Sequence, residues 1–337
     1  MNAVLVTAKN TNKSEIFTSH SRDNCNNKFL LLRKELEKRK IELKTDNNFT
    51  LENADISIFI DNQPEQLSKL SETCKKILVI GESPIINKLN QRESLRRKYD
   101  LILTWETNRV DNKKTFWIGC GCSFPENYQI DKWPSRISRE GVCMVAGNKS
   151  SSQMGELYSE RMDALNFFEG KLDGFRLYGN GWNQRNFKGW RKPLNKFKMA
   201  RQLGYKVPQS FAGKCESKFD CLKKFKFSIC YENALSNNGY ITEKIFDSMF
   251  SGCIPIYKGA TNISDFVPEG TFIQQEQFED YGDLYTYLEL MDKDEYDNYQ
   301  EMIKQYTKEF LNSTFYDANW AKEIANQCTR LFDRLSK

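Results

Sequence analysis

The fold is decided by residues 227–259, which read FSICYENALSNNGYITEKIFDSMFSGCIPIYKG. The pattern predicts a buried strand at Phe227–Tyr231, a polar loop at Glu232–Gly239, a helix from Thr242, and a second apolar strand at Ile254–Tyr257. Strand–loop–helix–strand units of this kind build parallel sheets, and their ligands bind at the carboxyl ends of the strands.

Five polar residues fall at that edge of the predicted sheet, namely Glu232, Asn233, Tyr240, Glu243 and Lys244. The helix that follows the loop can hold an anion at its N-terminus. The alternative is an ordinary βαβ unit whose polar residues only cap the helix, but a cap needs one or two polar groups rather than five. The stretch therefore favours a ligand site, and an acidic ligand suits it.

Three motifs in this stretch resemble the donor-binding signature of the α-1,3/1,4-fucosyltransferases. They are Tyr-Glu-Asn at 231–233, Tyr-Ile-Thr-Glu-Lys at 240–244 and Ile-Pro-Ile-Tyr-Lys-Gly at 254–259. The resemblance continues through residues 265–268 and 271–273, which read DFVP and TFI. The family usually has phenylalanine in place of the first tyrosine, and its loop is one residue shorter, so details of the loop stay open.

The resemblance implies a fold and an activity. Members of the family transfer L-fucose from GDP-fucose to a sugar hydroxyl, with inversion of the anomeric centre and without a bound metal. Their fold is GT-B, an α/β architecture of two Rossmann-like domains that face each other across a cleft. The chain is therefore expected to use GDP-fucose as donor, with no cofactor. Its expected acceptor is a glycan or glycoconjugate, through an α-1,3 linkage to N-acetylglucosamine or glucose.

The same resemblance assigns roles to donor-binding residues. Lys244 is assigned to the diphosphate, Glu243 to the ribose hydroxyls, and Asn233 and Tyr240 to phosphate or fucose. Arg161, on a helix after a Gly-Asn-Lys-Ser loop, resembles the diphosphate arginine of the family. A guanidinium suits that role because it stays charged and binds phosphate oxygens in pairs. The alternative for Arg161 is a solvent-facing helix residue paired with a neighbouring acid.

The first domain offers one candidate base, Glu82. A predicted strand at Ile77–Ile80 is followed by Gly-Glu-Ser-Pro, and the family has Glu-Ser-Pro at the corresponding place, with its glutamate as the proposed general base. Pro84 cannot extend a central strand, so the chain must turn at Glu82. The alternative is that Glu82 caps the next helix, and Glu52 and Glu106 are the other candidate bases.

The sequence argues against a metal site. The chain has one histidine, His20, in a polar loop, so acid–base chemistry must come from carboxylates, tyrosines or lysines. The pattern Asp292-Lys293-Asp294 resembles a manganese motif, but it begins a predicted helix, where acids favour the dipole. The Cys120-Gly121-Cys122 spacing does not suit a zinc site.

The length of 337 residues suits two domains. We predict an acceptor-side α/β domain at 1–135, with a helix over Lys28–Leu43, and a GDP-sugar domain at 136–315. A C-terminal helix at 316–337 is expected to pack back on the first domain. The sequence shows no signal peptide and no run approaching ~18 apolar residues, and its cysteines are scattered, so a cytoplasmic location is expected.

Basic residues concentrate in residues 185–201, where they alternate with Phe187, Trp190 and Phe197. We favour a solvated basic rim near the acidic ligand, and contact with an anionic membrane surface stays open. The chain carries no nucleic-acid-binding motif, so nucleic acid is not expected as a partner. Two other functions also stay open: the same machinery with another GDP-sugar, and a catalytically silent protein that binds sugar nucleotides or glycans.

Overall fold

The structure is a computed structural model, and it describes residues 1–8, 11–18, 22–47, 51–125, 128–171, 174–187, 189–236 and 238–333. The chain forms two compact units, each built on its own parallel β-sheet. Unit 1 contains Met1–Phe124, Asn238–Thr242 and Phe310–Lys337, and unit 2 contains Pro125–Asn237 and Glu243–Glu309. Each unit thus includes segments that are separated in the sequence, whereas the sequence analysis divided the chain at 135 and 315.

Unit 1 begins as an alternation of strands and helices. Its sheet has the order β2-β1-β3-β4-β5-β6 and is parallel throughout. The elements are β1 (Asn2–Val6), α1 (Asn27–Glu37), β2 (Glu42–Thr45), β3 (Ile56–Ile60), α2 (Pro64–Leu67), β4 (Lys75–Ile80), α3 (Glu93–Arg96), β5 (Leu101–Thr104) and β6 (Thr115–Trp117).

The predicted helix over Lys28–Leu43 was wrong at its C-terminal end. The helix stops at Glu37, Lys40 turns the chain with a φ of 59°, and the residues that follow form the edge strand β2. Leu43 and Thr45 are buried while Glu42 is exposed, which is the alternation of a strand. This strand has four residues, too few for its period to stand out from the helical pattern before it.

Unit 2 carries the second sheet, with the parallel order β11-β10-β9-β7-β8. The central strands β9 and β10 are buried over most of their length, as their apolar sequences require. The elements are β7 (Glu140–Val145), α4 (Tyr158–Lys171), β8 (Arg176–Tyr178), α5 (Lys198–Gln202), α6 (Lys218–Leu222), β9 (Phe225–Ser236), α7 (Glu243–Phe250), β10 (Ile254–Ala260), β11 (Ile273–Gln274), α8 (Tyr281–Leu290) and α9 (Lys293–Glu309).

Strand β9 runs further than the sequence predicted, because it includes Glu232–Ser236, which we expected to be loop. The backbone of this polar stretch is paired on both sides. Ala260 of β10 pairs with Ser236 after a bulge. On the other side, the N–H of Leu235 donates to the carbonyl of Gly155 at 2.8 Å. These partners come from distant sequence, so local composition could not reveal them.

The last helix, α10 (Asp317–Asp333), belongs to unit 1 and packs against α1. Phe29 and Trp320 meet edge to face with ring centroids 5.8 Å apart, and Ile324 and Cys328 are fully buried in the same core cluster. Aromatic and aliphatic burial of this kind stabilises the unit. Among the described residues, no helix is both long and apolar enough to span a bilayer.

Candidate active site

Arg161 lies in the first turns of α4 and is buried against the end of β9. Its guanidinium donates to the carbonyl of Tyr231 at 2.6 Å and to Oδ1 of Asn233 at 3.0 Å. The ring of Tyr158 lies beneath it, with its centroid 5.1 Å from the guanidinium carbon. Two predicted donor-binding residues, Arg161 and Asn233, are therefore in direct contact.

The start of α4 is fixed to β9 by the residues before it. The N–H of Leu157 donates to the carbonyl of Asn233 at 3.1 Å, and Glu156 forms an antiparallel bridge with Ala234. The carboxylate of Glu156 accepts from the N–H of Tyr158 at 2.8 Å and so caps the helix. The Glu156 carboxylate thus accepts hydrogen bonds from the first N–H groups of α4. At this edge, α4 therefore presents Arg161 to an anion rather than its N-terminal N–H groups.

Lys244, the second residue of α7, forms an ion pair inside unit 2. Its Nζ lies 3.1 Å from Oε2 of Glu232, whose side chain has no exposed surface, and 3.8 Å from Oε1 of Glu243. Burial alone would lower the pKa of Lys244, but the two carboxylates outweigh it and hold the pKa above its usual value. The lysine is therefore a fixed positive charge.

Gly259 makes room for this ion pair. A Cβ at position 259 would lie 2.6 Å from Cγ of Glu232 and 2.7 Å from the hydroxyl of Tyr257. No larger side chain fits without moving the glutamate. The glycine that ends the third signature motif is therefore required by the position of Glu232.

The positive charges of Arg161 and Lys244 act on each other, since the arginine lowers the pKa of the lysine against the carboxylates. Two cations that repel each other at the carboxyl edge of a parallel sheet are suited to an anion that contacts both. Glu243 lies beside them with its side chain about half exposed, and its Oε1 is 3.7 Å from Nζ of Lys218. An exposed carboxylate at this place can accept hydrogen bonds from hydroxyl groups.

In unit 1, the backbone of Glu82 is held by the residues at the end of β3. The N–H groups of Gly81 and Glu82 each donate to Oδ1 of Asp61 at 3.0 Å. Nδ2 of the buried Asn90 donates to the same oxygen at 2.8 Å and to the carbonyl of Glu82 at 3.0 Å. Desolvation raises the pKa of Asp61, although these donors oppose the shift. Sequence analysis missed Asp61 and Asn90; the one available signal was that Asp61 follows a strand at the same sheet edge.

Tyr240 belongs to unit 1, although its motif lies between two elements of unit 2. Its hydroxyl oxygen lies 3.5 Å from Oε2 of Glu82, and its ring packs on Trp105 with centroids 4.9 Å apart. Close by, the N–H of Thr107 donates to the carbonyl of Asn238 at 3.0 Å. The structure therefore groups Tyr240 with Glu82, while Arg161, Asn233, Glu243 and Lys244 form the group in unit 2.

The two other candidate bases differ from Glu82. Glu106 is buried and pairs with Arg96, and its Oε1 lies 3.2 Å from Nε of Arg109. Glu52 is exposed on the short 3-10 turn Leu51–Asn53. Glu82 is partly buried and carries a neighbouring tyrosine hydroxyl. Glu82 thus lies beside Tyr240, a residue of the second signature motif.

The other sequence motifs have structural roles in the described chain. Oδ1 of Asp292 caps α9 by accepting from the N–H of Glu295 at 2.8 Å, and Asp294 lies in the first turn of that helix. Gly179 has a φ of +139°, and a Cβ there would lie 1.9 Å from the carbonyl oxygen of Ala146. That close approach requires a glycine at this position. The described residues contain no group of three or more His, Cys, Asp or Glu side chains arranged for a metal. His20 lies outside them.

Two parallel α/β units and a paired cation site at a strand edge define a candidate sugar-nucleotide glycosyltransferase. Solved structures support the fold. An α1,3-fucosyltransferase with GDP-fucose matches with a TM-score of 0.51 and 16% identity over 88% of this chain and 80% of that one. An α-glucosyltransferase in complex with UDP matches with a TM-score of 0.54 and 11% identity over 100% of both chains. These likenesses confirm the GT-B fold.

Sequence comparison finds a fucosyltransferase family in the C-terminal part of the chain. Residues 185–336 match the model of glycosyltransferase family 10 (fucosyltransferase), C-terminal part. The α-(1,3)-fucosyltransferase FucT of Helicobacter pylori is 34% identical over 90 residues, which are 26% of this chain and 17% of that protein. Over residues 185–336, a little less than half of its length, the chain matches the fucosyltransferase family that the resemblance predicted. The match spans less than a fifth of the length of this curated relative.

Proposed function

We propose that this protein is an inverting fucosyltransferase, independent of metal, that transfers L-fucose from GDP-fucose to a hydroxyl of a glycan. The observation that carries this proposal is the pair of cations Arg161 and Lys244 at the carboxyl edge of the unit 2 sheet, within and beside the signature of a fucosyltransferase family. If these residues served only the fold, the strand edge would hold an ion pair and a buried arginine that bind no ligand.

The donor is proposed to bind through its diphosphate. Arg161 is already oriented by Tyr231 and Asn233, so its guanidinium can bind phosphate oxygens without losing much side-chain entropy. Lys244 supplies the second charge, and its carboxylate partners keep it protonated. Glu243 would accept hydrogen bonds from the ribose hydroxyls. As the fucose–phosphate bond breaks, these cations stabilise the charge that develops on GDP.

The acceptor step needs a base, and Glu82 is the proposed one. In a single displacement the acceptor hydroxyl loses its proton while its oxygen bonds to the anomeric carbon, and the carboxylate receives that proton. The backbone at Glu82 is fixed because its N–H donates to Asp61 and its carbonyl accepts from Asn90, so the carboxylate starts from a defined place. Tyr240, beside Glu82, would help to orient the sugar.

The acceptor and the donor sugar are the finer parts of the proposal. An α-1,3 linkage to N-acetylglucosamine or glucose and a cytoplasmic location rest on the resemblance and the sequence. A different GDP-sugar is the main alternative, because the residues of the unit 2 site act on the nucleotide. A silent binding protein is disfavoured, since it has no need to combine Glu82, Arg161, Glu243 and Lys244.

One assay separates these functions. Purified protein is incubated with GDP-fucose, GDP-mannose or UDP-glucose, together with an array of acceptors ending in N-acetylglucosamine, glucose or galactose. Released nucleotide and labelled glycan are both measured. Transfer from GDP-fucose alone supports the proposal, and transfer from GDP-mannose alone corrects the donor. Binding of GDP without hydrolysis or transfer to any acceptor supports the silent protein instead.

A further inference from the structure

Charge is strongly segregated along the chain. Residues 174–215 contain no aspartate or glutamate, whereas the whole chain has a formal net charge of only +5. The rest of the protein is therefore net acidic, and the positive charge is carried by one segment of unit 2. Its ten basic residues are Arg176, Arg185, Lys188, Arg191, Lys192, Lys196, Lys198, Arg201, Lys206 and Lys214.

The middle of this segment also exposes large apolar side chains. Trp190 is 84% exposed, Phe197 62%, Met199 85% and Leu203 81%. The 3-10 turn Gly189–Lys196 and the following α5 contain no buried residue. We call residues 185–187 and 189–207 the basic–apolar loop. Four exposed apolar groups this close together are unusual for a surface that meets only water.

The exposure belongs to a folded loop. Oδ1 of Asn195 accepts from the N–H of Phe187 at 2.8 Å, and Nδ2 of Asn195 donates to the carbonyl of Phe187 at 2.9 Å. The N–H of Arg185 donates to the carbonyl of Arg201 at 2.7 Å, and Nε of Arg201 donates back at 2.9 Å. The buried Trp182 ties the base of the loop to Ala146. The loop thus closes on itself and leaves its apolar side chains outside.

We propose that the basic–apolar loop docks the protein on an anionic lipid membrane surface. Lysine and arginine side chains are drawn to anionic headgroups, and tryptophan, phenylalanine and aliphatic side chains enter the boundary between headgroups and acyl chains. Nucleic acid fits less well, because Met199 and Leu203 have nothing to gain from phosphates or from stacking. The proposal does not depend on the transferase activity, since none of these residues belongs to the donor or base groups.

The experiment is co-sedimentation of the full chain with vesicles. Vesicles of neutral phosphatidylcholine are compared with vesicles containing about a third phosphatidylglycerol, at physiological and at high salt. We expect binding to the anionic vesicles only. Replacing Lys192, Lys196 and Lys198 by Gln is expected to lower the partition coefficient about tenfold or more. The variant W190S/F197S is expected to weaken binding at both salt concentrations, because insertion of apolar groups is not screened.

The matched control replaces Lys98, Lys308 and Lys322 by Gln. These three exposed lysines lie outside the loop, so the control loses the same charge. It should bind vesicles as the wild type does. The proposal is overturned if this control loses as much binding as the loop variant, if W190S/F197S binds normally, or if the wild type binds a single-stranded oligonucleotide and not vesicles. A higher KM for GDP-fucose in the lysine variant of the loop, with unchanged vesicle binding, would instead make the loop a rim of the donor site. Because vesicle binding needs no acceptor, failure of the transferase assay leaves this result intact.

Discussion

Glu82 is the residue on which the proposed chemistry depends most. Glu82→Gln keeps the size of the side chain, and the hydrogen bonds with Asp61 and Asn90 involve only the backbone at 82, so the variant should fold. We expect kcat to fall about 100-fold or more, because the acceptor loses its base. GDP affinity, measured by calorimetry, should be unchanged. Donor hydrolysis should fall less than transfer, since water needs less help once the fucosyl cation develops.

Two other glutamates control that experiment. Glu52→Gln changes an exposed side chain and should leave kcat unaltered. Glu106→Gln weakens the buried contacts with Arg96 and Arg109, so its unfolding must be measured beside its activity. Near wild-type transfer by Glu82→Gln, together with a stable and inactive Glu106 or Glu52 variant, would show that another carboxylate is the base.

Lys244 and Arg161 are expected to act on the donor. Each alanine variant should raise the KM for GDP-fucose and lower kcat, with a combined loss of about 2–4 kcal/mol in transition-state stabilisation. Lys244→Ala also leaves the carboxylate of Glu232 buried without its cation, which costs about 3–5 kcal/mol of folding free energy. The double variant Glu232→Gln/Lys244→Met should recover stability in urea unfolding and still bind donor poorly. If the double variant binds the donor as the wild type does, Lys244 is not part of the donor site.

Asp61 has a pH-dependent cost to stability. Its pKa is raised in the folded protein above its usual value of 3.8, so the folded state keeps a proton that the unfolded chain loses first. As the pH rises through that window, the free energy of unfolding of the wild type should fall relative to Asp61→Asn, and the difference should then stay constant. Urea unfolding of both proteins across the acidic to neutral range tests this. An increase in wild-type stability relative to the variant over the same window would contradict it.

At the scale of elements, the bulge of β10 is tied to the site through Gly259. Gly259→Ala puts a methyl group where Glu232 now lies, so we expect a loss of about 1–3 kcal/mol in unfolding free energy and a higher KM for GDP-fucose. The matched control is Gly170→Ala in α4, where an added Cβ meets no atom within 4 Å. That change should be neutral or stabilising by up to about 1 kcal/mol. Equal effects of the two substitutions would show that the ion pair does not require a glycine at position 259.

The alternation of apolar strands with helices predicted two α/β units with parallel sheets, and the structure has them. It predicted less where partners come from a distance. Glu232 looked like a loop residue because polar composition normally marks loops, yet pairing with distant backbone places it in β9 and Lys244 compensates its burial. Asp61 escaped notice since nothing local shows that its carboxylate holds the strand end at Glu82.

At the scale of the whole molecule, one short sequence serves both units. The segment Asn238–Thr242 leaves unit 2 after β9, belongs to unit 1, and returns to unit 2 at the first residue of α7. Tyr240 thereby contacts Glu82, while Glu243 and Lys244, three and four residues later, belong to the group of site residues in unit 2. A motif that looks like one donor-binding signature in the sequence thus supplies side chains to the proposed base and to the proposed donor site.

Metal removal tests the electrostatics of the whole reaction. The departing GDP carries negative charge that must be neutralised, and in this protein Arg161 and Lys244 are proposed to do so, with Lys244 held in its charged form by carboxylates. The two aspartates that resemble a manganese motif, Asp292 and Asp294, lie at the start of α9, where Asp292 caps the helix. We therefore expect the same rate of transfer after treatment with EDTA and dialysis as before, and no stimulation by manganese. A manganese-dependent glycosyltransferase assayed in parallel should lose its activity and so prove that the chelation worked. If transfer stops in EDTA and returns only with manganese, the cations of unit 2 do not suffice, and the proposed mechanism is wrong.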